Sequence, residues 1–157
     1  MALRLSLGAN IDEKGGPLEM SALHVASFAG RDAVVVILLE HGADLTAKDM
    51  QGRTAIHWAA SEGHLETCQL LLDRGADLLS KTIDGRTPED MARQNPFSVA
   101  GTSLQIVAML KAEMRRREAV RRAQCVAFAM GHQERLGAGS RVQWLDAGVM
   151  RMVLEEV

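Results

Sequence analysis

Residues 52–77 read GRTAIHWAASEGHLETCQLLLDRGAD, and residues 20–44 read MSALHVASFAGRDAVVVILLEHGAD. The two stretches align at one constant offset: Leu23 on Ile56, His24 on His57, Ala26 on Ala59, Gly30 on Gly63 and Gly42 on Gly75. A third copy starts at Gly85, where Thr87 follows Thr54 by the same interval. A fixed period of this size, about 33 residues, means a stack of supersecondary units. No unit can bury its own apolar faces alone, so the stack must bury them collectively.

One unit can be read residue by residue. Thr54 is a helix N-cap, its hydroxyl positioned to accept from a backbone N–H two or three residues on. Residues 55–62 then form a short helix, and Gly63 ends it. A second helix is predicted over 66–74, where Leu65, Cys68, Leu71 and Leu72 recur at helical spacing and give one apolar face. Gly75 stops it, and Ala76-Asp77 leads into the next loop. Ala59 and Ala60 are small enough for the next unit to approach closely.

The period and the box Thr54-Ala55-Ile56-His57-Trp58-Ala59 resemble the ankyrin repeat, a β-turn followed by two antiparallel helices. The resemblance spans about residues 3–93 and extends to the helix that follows. It implies an all-α ankyrin-repeat solenoid in which His57 is structural and bonds loop backbone. Ankyrin-like units bind protein partners through their turn tips and the inward face of each first helix. Carried over by position, this gives Leu18, Met20 and Phe28 in one repeat, and Met50, Gln51, Arg53, Trp58, Ser61 and Glu62 in the next. In the last repeat it gives Ile83, Asp84 and Arg86. The competing reading is that Phe28 and Trp58 pack between neighbouring repeats. Arg53 and Arg86 occupy equivalent places and are set to pair with Asp residues of adjacent turns, as exposed pairs contributing about 0–1 kcal/mol each.

The array is expected over 1–102, with a partial repeat at 1–15, repeats at 16–48 and 49–81, and a last one at 82–110 carrying an insertion at 96–102. The interval from Gly8 to Gly42 exceeds that from Gly42 to Gly75 by a single position, so one extra residue is expected near Gly15-Gly16-Pro17. The match begins inside a repeat, without its first helix. We therefore expect the natural folded unit to start upstream of Met1, or residues 1–12 to be poorly ordered. Pro88 suits the first turn of a helix over 88–94, which must stop before Asn95-Pro96.

Residues 103–157 are expected to cap or extend the array with one long helix over 103–130 and a short terminal helix over 147–155. Leu104, Val107, Leu110 and Met114 form the stripe that closes the last repeat, with a kink near residues 115–117 and Gly131 as the break. The ending WLDAGVMRMVLEEV resembles the start of an F-box over a very short run.

Apolar residues are 47% of the chain and aromatics 3%, an aliphatic composition that favours short Ala/Leu helices over a sheet sandwich. Residues 1–110 carry 9 basic and 14 acidic side chains, and residues 111–157 carry 9 basic and 6 acidic, so the repeats are acidic and the tail is basic. Two cysteines make no disulfide framework, and a reducing compartment follows as the simplest assumption. The cytoplasm is expected, with the nucleus as the alternative. No window approaches about 18 uninterrupted apolar residues, so no membrane span is predicted.

The histidines lack H-x-x-x-H spacing and the cysteines C-x-x-C spacing, so no metal site is expected. Residues 15–16 are not followed by Lys and Ser/Thr, so there is no phosphate loop, and no nucleophile has an activating neighbour. No catalytic residue and no cofactor are predicted. The basic run 111–122 places Lys111, Arg115, Arg116, Arg117, Arg121 and Arg122 beside Glu113 and Glu118. A solvated, locally paired helix face is the first reading of it. Contact with an acidic protein, and a basic amphipathic helix for nucleic acid, a membrane surface or a calmodulin-like protein, follow in that order. No aromatic interleaves the arginines, which disfavours nucleic acid. The expected function is a monomeric, non-catalytic module that binds a protein partner on the repeat face. The alternative is an adaptor, such as a ubiquitin-ligase substrate receptor, whose C-terminal helices dock a second protein.

Overall fold

A computed structural model of the chain describes residues 10–94 and 101–135, with side chains through residue 128. Its described elements are all helical: α1 (Ala22–Phe28), α2 (Asp32–Glu40), α3 (Ala55–Glu62), α4 (Leu65–Asp73), α5 (Pro88–Arg93) and α6 (Thr102–Arg135). The chain divides into two compact units, Met1–Met114 and Arg115–Val157.

Each short first helix starts from an extended cap residue. Ser21, Thr54 and Thr87 have ψ of 168°, 172° and 166°. The residue three positions on closes the cap. The His57 ring accepts from the Thr54 N–H at 3.2 Å and lies 2.9 Å from the Thr54 hydroxyl. His24 does the same for Ser21, at 3.1 and 2.8 Å. Asp90 takes the histidine's place in the last repeat, accepting from the Thr87 N–H and hydroxyl at 2.9 and 2.8 Å. These are capping boxes with a ring or a short carboxylate where glutamate is usual. Gly63 ends α3 in the left-handed region, with φ of 83°.

Stacking follows the period. First helices pack on first helices, α1 against α3 and α3 against α5, and α2 packs against α4. Ala59 and Ala60 are fully buried, as their size required. Leu23, Val35, Leu38, Ile56, Cys68, Leu71, Leu72, Ala92, Ile106, Val107 and Leu110 share one core cluster. Polar stitches join repeats as well: Thr67 donates to Asp32 at 2.5 Å, and the His64 ring lies 3.0 Å from the Phe28 carbonyl.

Two expectations about α6 need correction. Its buried face is Ile106, Val107 and Leu110, with Met114 partly buried, whereas Leu104 is 74% exposed. At about 100° per residue, Leu104 points roughly 100° away from the centre of that set. Gly131 does not break the helix, which runs on to Arg135. A glycine costs only about 1 kcal/mol against alanine, which neighbouring residues absorb. The predicted terminal helix lies outside the described residues, as do residues 1–9 and residues 96–100 of the insertion, whose last residue, Thr102, already belongs to α6.

Candidate functional site

Before each first helix the chain makes a finger. Asp49 N–H donates to the Arg53 carbonyl at 2.9 Å, and Thr82 N–H donates to the Arg86 carbonyl at 3.0 Å. Gly15 and Met20 exchange two such bonds at 3.0 Å, so the first finger holds one residue more than the others, at the place the sequence suggested. The fingers are joined in a row. Met50 N–H donates to the Leu18 carbonyl and Ile83 N–H to the Gln51 carbonyl, both at 3.0 Å.

This row carries much of the predicted face. Met50 is 62% exposed and Ile83 74%. Gln51, Asp84 and Arg86 are exposed, and Leu18 and Met20 are half-buried. On the helices behind it, Phe28 is 44% exposed, Glu62 is exposed and Ser61 half-buried. Val25, at 52% exposed and three residues before Phe28 on α1, shares that helix face and escaped the sequence reading. Its signal was the offset itself, because Val25 stands one full period before Trp58.

Trp58 is buried and sits at the hub of a cluster. The Phe28 ring meets it edge-on, with centroids 5.3 Å apart. The Arg53 guanidinium carbon lies 3.6 Å from the centroid of the indole ring, a cation–π geometry. Trp58 Nε1 donates to Asp49 Oδ2 at 3.2 Å, and Arg53 Nε donates to the same oxygen at 2.8 Å. Asp49 Oδ1 accepts the Gln51 and Arg53 N–H groups at 2.9 and 2.8 Å. Arg53 therefore pairs within its own finger, not with an adjacent turn, and the pair is enclosed: the side chains are 12% and 0% exposed. Arg86 pairs with no carboxylate among the described residues, because Thr82 stands where the finger before has Asp49. It donates to Gln94 at 2.7 Å instead.

The two buried histidines have fixed roles. Nδ1 accepts from the cap N–H, so Nε2 carries the proton. His24 Nε2 donates toward the Ala47 and Arg53 carbonyls at 3.0 and 3.1 Å, and His57 Nε2 toward the Arg86 carbonyl at 3.3 Å. Burial holds both rings below the ordinary value of 6.5, against backbone carbonyls that favour the charged form. Burial also pushes the Cys68 thiol up to about 12. Hydrogen bonds from Thr46 hold Asp44 low, and those from Thr87 hold Asp90 low.

The basic run is split between the two units. Lys111, in the first, lies 3.7 Å from Glu89 of α5, which also pairs with Arg93 at 2.5 Å. In the second, Arg115, Arg116, Arg121 and Arg122 are exposed and Arg117 is half-buried. Among the described residues, no group of three or more His, Cys, Asp or Glu side chains could hold a metal ion. No described helix is long and apolar enough to cross a membrane.

A family model described as "Ankyrin repeats (3 copies)" matches residues 2–82. Comparison with curated proteins found no match.

Proposed function

Because the chain belongs to the ankyrin-repeat family, whose repeats are generally protein-interaction modules, we propose that it is a non-catalytic module. In this reading the finger tips and first helices present one face to a segment of a protein partner. The observation that carries it is the apolar exposure of Met50 and Ile83, at 62 and 74%, on the joined fingers, and of Val25 and Phe28, at 52 and 44%, on the α1 face that meets Trp58. Apolar side chains left in water as a group mark an interaction surface. Trp58, Arg53 and Asp49 form the floor that holds Phe28 in place. Repeat arrays use such extended faces for binding.

The test is partner capture from a native lysate with residues 1–157 and with the variant Phe28→Ser/Met50→Ser/Ile83→Ser. These three side chains are partly exposed, so the variant keeps its melting temperature within a few degrees. Loss of the partner supports the reading; full retention removes the finger face from consideration. Arg53 is left intact, because its removal would strand a buried carboxylate. The adaptor alternative turns on residues 142–157, which lie outside the described residues.

A further inference from the structure

The finger row has a direction, and its two ends differ. Each finger donates one tip N–H to a carbonyl of the finger before it: Met50 to Leu18, and Ile83 to Gln51. The contact is close. A side chain built on Gly52 would meet the Ile83 nitrogen at 3.1 Å and Ile83 Cγ2 at 3.4 Å. The equivalent position in the last finger is Gly85, and nothing lies within 4 Å of it among the described residues. The equivalent acceptor is the Asp84 carbonyl, which receives no hydrogen bond among the described residues. Ile106, Val107 and Leu110 of α6 share the core cluster with Ala92 of α5, so the helical layer continues past α5, where the finger layer has no further neighbour among the described residues.

We propose that this open end is a docking edge that takes one further finger-like segment from a protein partner. The segment is a turn or extended strand that donates a backbone N–H to Asp84 and lays an apolar side chain over Gly85. The argument is continuity: the occupant repeats the contact that Ile83 already makes on finger 49–53. Strand or turn addition to an exposed backbone edge draws affinity from main-chain hydrogen bonds. A second copy does not fit the role in this register. The donor position of its first finger is Pro17, which has no N–H to offer.

The probe is a backbone-cyclised peptide carrying KTIDGRT, the sequence of residues 81–87, whose closure removes part of the ordering cost. It is titrated into the full isotope-labelled chain and followed by amide chemical shifts. Expected are shifts confined to residues 82–86. An analogue methylated on the nitrogen of its isoleucine binds about tenfold more weakly, the loss of one backbone hydrogen bond. Gly85→Asn in the protein, a residue that tolerates the left-handed backbone, abolishes the shifts while the chain stays folded. Absence of shifts at millimolar peptide overturns the proposal, as does equal binding of the methylated analogue. Shifts centred on Val25 and Phe28 would assign the peptide to the face proposed above and equally overturn the edge. Concentration-dependent shifts at residues 82–86 without peptide would make a second copy the occupant and refute the choice made here.

Discussion

Replacing Asp49 with alanine strands four donors at once. Its carboxylate accepts from the Gln51 and Arg53 N–H groups at 2.9 and 2.8 Å, from Arg53 Nε at 2.8 Å and from Trp58 Nε1 at 3.2 Å. Gln51 is exposed, so its N–H rehydrates at little cost. The indole and guanidinium donors do not, because Trp58 is 8% exposed and the Arg53 side chain 12%. Removing one partner of a buried pair costs about 3–5 kcal/mol, chiefly through the charge left behind. We expect Asp49→Ala to fall in that range by urea denaturation. Asp49→Asn keeps an oxygen for the two backbone donors and loses about 1–3 kcal/mol, the cost of unsatisfied buried donors. The double variant Asp49→Ala/Arg53→Met removes the stranded cation and recovers part of the loss, with a coupling of about 0.5–3 kcal/mol. A loss under about 1 kcal/mol for Asp49→Ala, or strict additivity in the double variant, would show the pair to be a surface ornament and refute the reasoning.

Five further outcomes follow from the same geometry. Gly52→Ala destabilises more than Gly85→Ala, since both have left-handed backbones, with φ of 73° and 77°, but only Gly52 faces a neighbouring finger; equal urea midpoints would contradict the finger packing. Ala59→Leu, at a fully buried contact, costs about 1–3 kcal/mol by overpacking, and Leu71→Ala about 2–5 kcal/mol by leaving a cavity; both are read from the same denaturation curves. Acid should weaken the fold through His24 and His57: their folded-state values lie below 6.5, so the unfolded chain binds protons first and stability drops as pH falls below about 6.5. A flat urea midpoint between about pH 7.5 and 5.5, above the carboxylate range, would rule this out. A thiol reagent at about pH 8 should label Cys125, which is exposed, and spare Cys68, whose burial raises its thiol to about 12, until urea opens the fold; labelling of both in the native chain is the contrary result.

The repeat was legible because its determinants are local. Thr54 and Gly63 bound α3 on both sides, and the sequence places that helix at the residues where it is found. The constant offset between copies carries the same logic to α1 and α5. Side-chain partnerships were harder to read. Arg53 reaches Asp49 only because the finger turns back on itself, and a pairing between adjacent turns looks equally reasonable before that turn is built. Asp49 and Trp58 are nine residues apart, a separation that belongs to no helical or strand period. The face of α6 was misjudged for a related reason. Leucines at 104 and 110 suggested one stripe, but only the assembled core shows that Ile106 takes the buried side and Leu104 stays exposed. Exposure of Val25 was equally hidden, since an apolar residue in a short helix is assigned to the core by default.

The proton on each histidine ring has a consequence for how the array comes apart. His24 closes the start of α1 but shares its Nε2–H between the Ala47 carbonyl of its own repeat and the Arg53 carbonyl of the next, and His57 reaches in the same way toward Arg86. Each cap is therefore completed by its C-terminal neighbour. Asp90, the third of the series, hydrogen-bonds Thr87 and reaches no later finger among the described residues. Opening of finger 82–86 would remove the Arg86 carbonyl from His57 and weaken the start of α3, leaving the ring its contact with the Ser80 carbonyl. Whatever steadies the last described finger therefore also steadies the start of a helix that lies outside its own repeat.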